Sequence, residues 1–197
     1  GNPYATLQKA WDMSSSGDTI YGCGTDTGGI NWGTTTKQQL SIIGCDSSWN
    51  IGGAQLVIDG QNSLANLLWS GTTNSVAQYG RARFCTFKRS TGSVIGGANY
   101  TFESWLWDRC IFEACGGDAF PNQYLLYPKN SFYRCIFRNN SGAAIYRSGT
   151  YVCCVLCRFS GNADGVIRSA YSPYDVLAHC LFDGNGSYIW SSGYASE

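Results

Sequence analysis

The sequence predicts an all-β fold, a right-handed parallel β-helix, and three observations lead to this prediction. A Cys-x-Phe triplet occurs five times, at steps of 22 to 25 residues. A bulky apolar residue follows ten positions after each Cys, and turns rich in Gly, Asn, Ser and Asp lie between them. A repeat of this length cannot bury its apolar side alone, so it must stack on copies of itself.

The repeat predicts two internal ladders, one of rings and one of thiols. Adjacent parallel strands lie about 4.8 Å apart, so each Phe is expected over the next, and each stacked pair contributes roughly 0.5 to 1.5 kcal/mol beyond burial. Cys behaves in protein cores as a small apolar residue, so the thiols are expected beside the rings. The ladders are Phe87, Phe112, Phe137, Phe159 and Phe182, and Cys85, Cys110, Cys135, Cys157 and Cys180; a further apolar column is Ala82, Trp107, Phe132, Cys154 and Leu177.

The N-terminal residues predict a helix that plugs the end of the stack. Asn2 is a suitable cap, Pro3 suits the first helical position, and Tyr4, Leu7 and Trp11 form one apolar stripe. The chain is therefore expected to be one domain, 1–197, of about seven or eight coils. Its parts are a cap helix in 1–16, coils in 17–190 and a tail in 191–197.

One coil carries a motif that points to a known superfamily. Its sequence is Phe132-Tyr-Arg-Cys-Ile-Phe-Arg-Asn-Asn140, which resembles the apolar-x-x-Cys-x-Phe-x-x-Asn coils of pectate-lyase-like right-handed β-helices. Such proteins commonly open with a short helix and a Gly-Asp-Thr strand, as at Gly17-Asp-Thr19. The resemblance covers nearly the whole chain and implies the fold. It also brings polysaccharide cleavage into consideration, because many members of this superfamily cleave polysaccharides along a groove on the stack.

The catalytic elements of that superfamily match poorly. Leu106-Trp-Asp-Arg109 resembles the Trp-x-Asp-His element of pectate lyases with Arg in place of His. The Asn-Thr-Asp, Asp-Asp, Gly-His-Gly and Arg-Ile-Lys elements of polygalacturonases are absent. Asp108, Arg109 and Arg134 remain as lyase candidates, and the two arginines share a position on adjacent coils that suits an acidic sugar. A non-catalytic member is the expectation.

The charge balance and the length of the apolar runs argue against two classes of partner, nucleic acid and membranes. Thirteen Lys and Arg residues balance thirteen Asp and Glu residues, so a basic field for nucleic acid is missing. No apolar run reaches the roughly 20 residues of a membrane span. Because the sequence opens at Gly1 without Met or a leader, it is expected to be a mature or trimmed product.

The remaining cysteines and the single His suggest no metal site and no cofactor. Zinc-ribbon spacing is absent, and His179 is expected at a coil corner rather than as a ligand. Cys23 and Cys45 lie 22 residues apart, which is one coil, so they form a disulfide if the compartment is oxidising and stay free thiols if it is not.

Two functions remain as hypotheses. The first is an extracellular or cell-surface structural or adhesive module that self-associates head to tail into filaments or a surface layer, with surface glycans as further partners. The second is a polysaccharide lyase or a glycoside hydrolase. The seven Trp and thirteen Tyr exceed what a narrow core holds, which favours the first. Expected self-contact residues are Tyr188, Trp190 and Tyr194, and glycosylation triplets begin at Asn99, Asn139 and Asn185.

Overall fold

The computed structural model describes twelve stretches of the chain, which form one helix and nineteen strands. The stretches are 4–26, 41–46, 57–58, 62–66, 68–70, 76–77, 80–88, 105–119, 129–147, 151–169, 176–186 and 190–192. The elements are α1 (Leu7–Met13), β1 (Thr19–Gly22), β2 (Ser41–Gly44), β3 (Val57–Ile58), β4 (Asn62–Ala65), β5 (Leu68–Ser70), β6 (Val76–Ala77), β7 (Gly80–Arg83), β8 (Thr86–Lys88), β9 (Trp105–Asp108), β10 (Ile111–Glu113), β11 (Lys129–Tyr133), β12 (Ile136–Arg138), β13 (Ile145–Arg147), β14 (Tyr151–Val155), β15 (Arg158–Ser160), β16 (Ile167–Ser169), β17 (Val176–Ala178), β18 (Leu181–Asp183) and β19 (Trp190–Ser192).

The strands form a parallel β-solenoid, which confirms the predicted fold class. A main sheet has eight strands in the order β1-β2-β4-β7-β9-β11-β14-β17. A second sheet has six, β5-β8-β10-β12-β15-β18, and a third has β13-β16-β19, beside the separate pair β3-β6. Each strand pairs with the equivalent strand one coil away, and every pairing is parallel.

The number of complete turns differs from the predicted seven or eight coils, although the main sheet has eight strands. Strands on all three sides of the cross-section are described in about four turns. Few complete turns are described because the third side of the cross-section has few described strands, and each of them has only two or three residues. The repeat in the sequence marks the first two sides, where Cys-x-Phe recurs, more regularly than it marks the third.

Helix α1 plugs the N-terminal end, but it begins later than predicted. It starts after Thr6, whose Oγ1 accepts a hydrogen bond from the Lys9 N–H at 3.2 Å. Leu7 and Trp11 are buried and join the core, as the apolar stripe predicts. Tyr4 was wrongly placed in that stripe, because it precedes the helix and is mostly exposed. The predicted cap at Asn2 and Pro3 lies outside the described residues.

The strand registers place residues from equivalent positions of the repeat beside each other in successive coils. The column Ala82, Trp107, Phe132, Cys154 and Leu177 runs through the main sheet as predicted. Residues ten positions after the repeat Cys, Ile145, Ile167 and Trp190, align in the third sheet. The core therefore lies between three sheets whose inward columns the repeat specifies.

Non-glycine residues in the left-handed conformation turn the chain from the main sheet to the second sheet. This conformation costs an ordinary residue roughly 1 to 2 kcal/mol. The corner N–H groups still hydrogen-bond to the next coil, as Arg109 does to the Tyr133 carbonyl oxygen at 2.9 Å, so the ladder continues around the bend. The corner column is Asn66, Phe84, Arg109, Arg134, Leu156 and His179, with φ between 52° and 57°.

Candidate functional site

The predicted phenylalanines form a continuous stack inside the second sheet. Ring centroids of successive members lie 5.2, 4.9, 5.0 and 5.5 Å apart, with interplanar angles of 7° to 15°. Trp107 and Phe132 of the main sheet meet this stack edge-on, with Phe132 5.2 Å from Phe137. The rings of two sheets thus fill the core together.

The repeat cysteines form the second ladder. The Sγ atom of Cys135 donates to the carbonyl oxygen of Trp107, a residue of the preceding coil, at 3.3 Å. Cys110, Cys157 and Cys180 each donate at 3.4 Å to the carbonyl oxygen of the equivalent residue in the coil that precedes their own. Burial raises the pKa of the Cys110 and Cys135 thiols well above the ordinary value. Protonated, enclosed thiols are poor nucleophiles, so the Cys110 and Cys135 rungs are structural, whereas hydrogen bonds from Cys135 and Cys154 lower the pKa of the Cys157 thiol.

An asparagine ladder lies five residues beyond the repeat Cys, at the position of the Asn that ends the coil motif; the sequence reasoning quoted this position but assigned it no role. The Nδ2 of Asn162 donates to the Phe137 carbonyl oxygen at 3.1 Å and to Asn185 Oδ1 at 2.8 Å. Asn140 repeats the arrangement one coil below, and its Oδ1 accepts from the Cys115 N–H at 3.1 Å. The shared spacing of Asn140, Asn162 and Asn185 from Cys135, Cys157 and Cys180 was the signal available.

The three ladders lose their burial at the last described coil. Phe112, Phe137 and Phe159 are fully buried, whereas Phe182 is half-buried. Cys180 and Asn185 are also only half-buried, unlike their equivalents below. On the outer faces of this coil, Val176 is 51% exposed and Leu181 is 67% exposed. The C-terminal coil therefore presents core-type side chains to solvent.

The predicted self-contact residues are described only in part. The backbone of Trp190 lies in β19, paired with Ile167 of β16. Tyr188 and Tyr194 lie outside the described residues. Among the side chains described at this end, the exposed large apolar ones belong to β17 and β18.

The lyase candidates meet at the corner between the main and second sheets. Asp108 accepts from Arg83 Nε at 3.2 Å and lies 3.5 Å from Arg109 Nη1. Arg109 and Arg134 occupy the same corner position on adjacent coils, as predicted. Their guanidinium groups lie against aromatic rings, Arg109 over Phe84 at 5.1 Å and Arg134 over Tyr133 at 4.8 Å. Asp108 Oδ2 is thus paired with two cations, whereas its Oδ1 is buried without a hydrogen-bond partner among the described residues.

Two further carboxylates, which the sequence reasoning left unassigned, link neighbouring coils. Glu113 lies between Lys88, 2.5 Å from its Oε1, and Arg138, which also contacts it. Burial raises the pKa of Glu113, but the hydrogen bonds from both cations outweigh burial, so this pKa is lowered. Glu113 therefore stays charged and ties three coils of the second sheet together.

The second carboxylate, Asp118, lies near the third sheet. Its Oδ1 accepts from the Ala143 N–H at 2.8 Å, and its Oδ2 accepts from Arg168 Nη2 at 3.2 Å. Burial raises the pKa of Asp118 despite these contacts. Arg168 also contacts Asp164 and lies 4.1 Å from the centre of the Tyr146 ring. The contacts of Asp118 with Ala143 and Arg168 therefore link neighbouring coils.

The disulfide and glycosylation candidates have different surroundings. Cys23 and Cys45 form a disulfide between adjacent coils, with Cα atoms 5.4 Å apart. Asn139 is exposed at a left-handed turn. The Asn185 amide belongs to the asparagine ladder, where its Nδ2 donates to Phe159 O at 2.9 Å, so glycosylation there would break a core contact. Asn99 lies outside the described residues.

A groove lies at the opposite end of the stack, between α1 and β1. Its volume is about 690 Å³, and its lining includes Tyr4, Met13, Ile20, Tyr21 and Asp26. Tyr21 is 73% exposed, and both Tyr4 and Met13 are more than half exposed. This groove was not predicted, because the sequence reasoning treated the N-terminal end only as a plug.

Comparison with known proteins adds no relative. No protein-family model, no curated protein and no solved structure matches the sequence. In the described ranges, no group of three or more His, Cys, Asp or Glu side chains is arranged to hold a metal ion. No helix in the described part of the chain has the length and apolar character needed to cross a bilayer.

Proposed function

We propose that this chain is an extracellular structural or adhesive β-helix module that self-associates through its C-terminal coil. We further propose that it is a non-catalytic relative of the pectate-lyase-like β-helices. The observation that carries the proposal is the loss of burial at the last described coil, where Phe182, Cys180 and Asn185 are half-buried. Solenoid ends of this kind expose strand edges and core side chains, which favour docking of another chain.

The energetics favour association at this end. Covering a few hundred Å² of apolar surface at about 25 cal/mol per Å² supplies several kcal/mol before the entropy of docking is subtracted. Among the described side chains of this coil, Val176 and Leu181 are large, apolar and exposed. The chain is electrically neutral overall, with thirteen basic and thirteen acidic side chains, so long-range repulsion between copies is small.

The use of charge in the described coils supports a structural role over a catalytic one. Asp108, Glu113 and Asp118 are mostly buried carboxylates, and each is paired with an Arg or Lys. A glycosidase needs two carboxyl groups that face each other across the sugar. Here the carboxylates stabilise the stacking of coils. The disulfide between Cys23 and Cys45 supports an oxidising, extracellular setting.

The association is tested by sedimentation velocity on the whole chain and two matched variants. Val176→Asp places a charge on the C-terminal coil, whereas Leu106→Asp places one in the same outer column of the main sheet, at mid-stack. Their wild-type side chains are 51% and 40% exposed, respectively. We expect the unaltered chain and Leu106→Asp to self-associate and Val176→Asp to remain monomeric. An unaltered chain that stays monomeric at millimolar concentration would rule out the proposal.

Contact with anionic surface glycans is a second candidate, favoured by the stacked corner positions of Arg109 and Arg134. Cations one coil apart, beside aromatic rings, suit a linear acidic sugar. Retention on immobilised polygalacturonate should fall in Arg109→Ala/Arg134→Ala and stay unchanged in Arg158→Ala. Release of unsaturated ends from the polymer, lost in Asp108→Asn, would instead establish the lyase alternative.

A further inference from the structure

Exposed large apolar side chains concentrate at the two ends of the stack. Among the described residues, three of the eight line the N-terminal groove and three belong to the last two coils. The first three are Tyr4, Met13 and Tyr21, and the other three are Leu156, Val176 and Leu181. The ends differ in shape, because the first surface is concave and the second is the open side of a coil. Two unlike apolar surfaces at opposite ends suit a contact between different faces of two copies.

The main sheet gives both ends matching strand edges. β1 and β17 are its terminal strands, and among the described residues no strand pairs with their outer edges. All strands of the sheet run in the same direction, so a second copy displaced along the stack would present β17 to β1 as one more parallel pair. An outer strand edge carries unpaired N–H and C=O groups that such a pair satisfies.

The register supports this pairing residue by residue. It passes through all eight strands without a shift, so Val176, Leu177 and Ala178 lie in the columns of Thr19, Ile20 and Tyr21. Continued into a second copy, it sets Leu177 beside Ile20, one of the apolar residues that line the groove. It also sets the small Ala178 beside Tyr21, leaving room for the exposed ring to lie over the neighbouring strand.

We propose that the groove between α1 and β1 is the docking site for the C-terminal coil of a second copy of this chain. This proposal rests on the proposed function, because it names the surface that receives the self-associating coil. The β17 edge pairs with the β1 edge, and Tyr21, Tyr4 and Met13 cover the apolar side chains of the incoming coil. The contact is heterologous, so it leaves a free groove at one end of the assembly and a free coil at the other. It therefore propagates into filaments rather than closing as a two-fold dimer.

Complementation between two end variants tests this docking. Tyr21→Asp damages the groove and leaves the coil intact, whereas Val176→Asp damages the coil and leaves the groove intact. We expect each variant alone to be folded by circular dichroism and monomeric by sedimentation velocity. An equimolar mixture should form a species of two chains and no larger one, because only one intact groove and one intact coil can meet. Leu106→Asp serves as the control that assembles like the unaltered chain.

The outcomes separate this inference from the proposed function. If the unaltered chain assembles and Tyr21→Asp assembles equally well, the groove is not the acceptor, although self-association stands. If both variants are monomeric and their mixture stays monomeric, an intact groove and an intact coil do not bind each other, and the head-to-tail docking is wrong. If the unaltered chain is itself monomeric, the inference and the proposed function fail together.

Discussion

The coil that contains Phe137 and the coil that contains Phe182 carry the same residue types at the same positions. Each has a Cys two residues before the ring and an Asn three residues after it. The coil that contains Phe137 buries all three side chains, whereas the coil that contains Phe182, the last one described, leaves all three half-buried. Because the local sequence is equivalent, the difference reflects the neighbour above, which no described residue supplies to the last described coil. A repeat residue in this fold is stabilised by the coils on both of its sides, which is why we propose a partner for the last described coil.

The two phenylalanines should differ most when they are removed. Phe137→Ala deletes a fully buried ring stacked on both sides, and we expect a loss of about 3 to 5 kcal/mol. Phe182→Ala deletes a half-buried ring with one stacking partner, so the loss should be about half as large. Urea unfolding of monomeric protein measures both free energies. Equal losses would mean that the last coil is as closed as the middle one.

The disulfide at the N-terminal end should have the next largest effect. Closing a loop of 22 residues stabilises a fold by roughly 3 kcal/mol in the chain-entropy account. We expect Cys23→Ser/Cys45→Ser to lose about this much in urea unfolding, while Cys153→Ser, at a half-buried free thiol, loses little. A double variant as stable as the unaltered protein would show that this end does not depend on the cross-link.

The asparagine ladder gives a smaller version of the same comparison. Asn162→Ala leaves the buried carbonyl of Phe137 without its amide donor and should cost roughly 1 to 3 kcal/mol. Asn185→Ala removes an equivalent amide from a half-buried position, where water replaces part of the loss. Thermal unfolding of monomeric protein compares them. A larger loss of stability in Asn185→Ala than in Asn162→Ala would contradict an open last coil.

The ion pairs of Glu113 should have the smallest effect and the clearest pH dependence. The pKa of Glu113 is lowered in the folded state, so its stabilisation is present above the ordinary Glu pKa. It is lost as the pH falls through the lower, folded-state value. Glu113→Gln should therefore cost about 1 kcal/mol at neutral pH, since both cations are partly exposed, and nothing in strong acid. A pH-independent cost in urea unfolding would mean that packing, and not charge, holds this side chain.

The ladders could be predicted from the sequence because every rung has the same residue type at a nearly constant spacing. Phe87 to Phe182 and Cys85 to Cys180 are visible without coordinates for that reason. The start of α1 could not be fixed as reliably, because Thr6, Asn2 and Pro3 all suit the beginning of a helix. The Thr6 hydrogen bond to Lys9 decides between them.

His179 lies at a coil corner as predicted, but the other corner residues and the groove were hidden for a different reason. The left-handed corner column contains Asn, Phe, Arg, Leu and His, so no residue type marks the position. Backbone hydrogen bonds between coils offset the conformational cost, and they do not depend on the side chain. The groove joins α1 to the edge of β1, and such a surface depends on how the helix lies rather than on any motif.

Hydrogen exchange measured at several protein concentrations tests most directly whether the last coil is completed by another copy. At low concentration, amides of β17 and β18 should exchange faster than those of β11 and β12, because nothing described stacks above them. As concentration rises, we expect exchange in β17, β18 and β1 to slow while β11 and β12 stay unchanged. Exchange in β17 and β18 that is as slow as in β11 and β12, and the same at every concentration, would contradict the account.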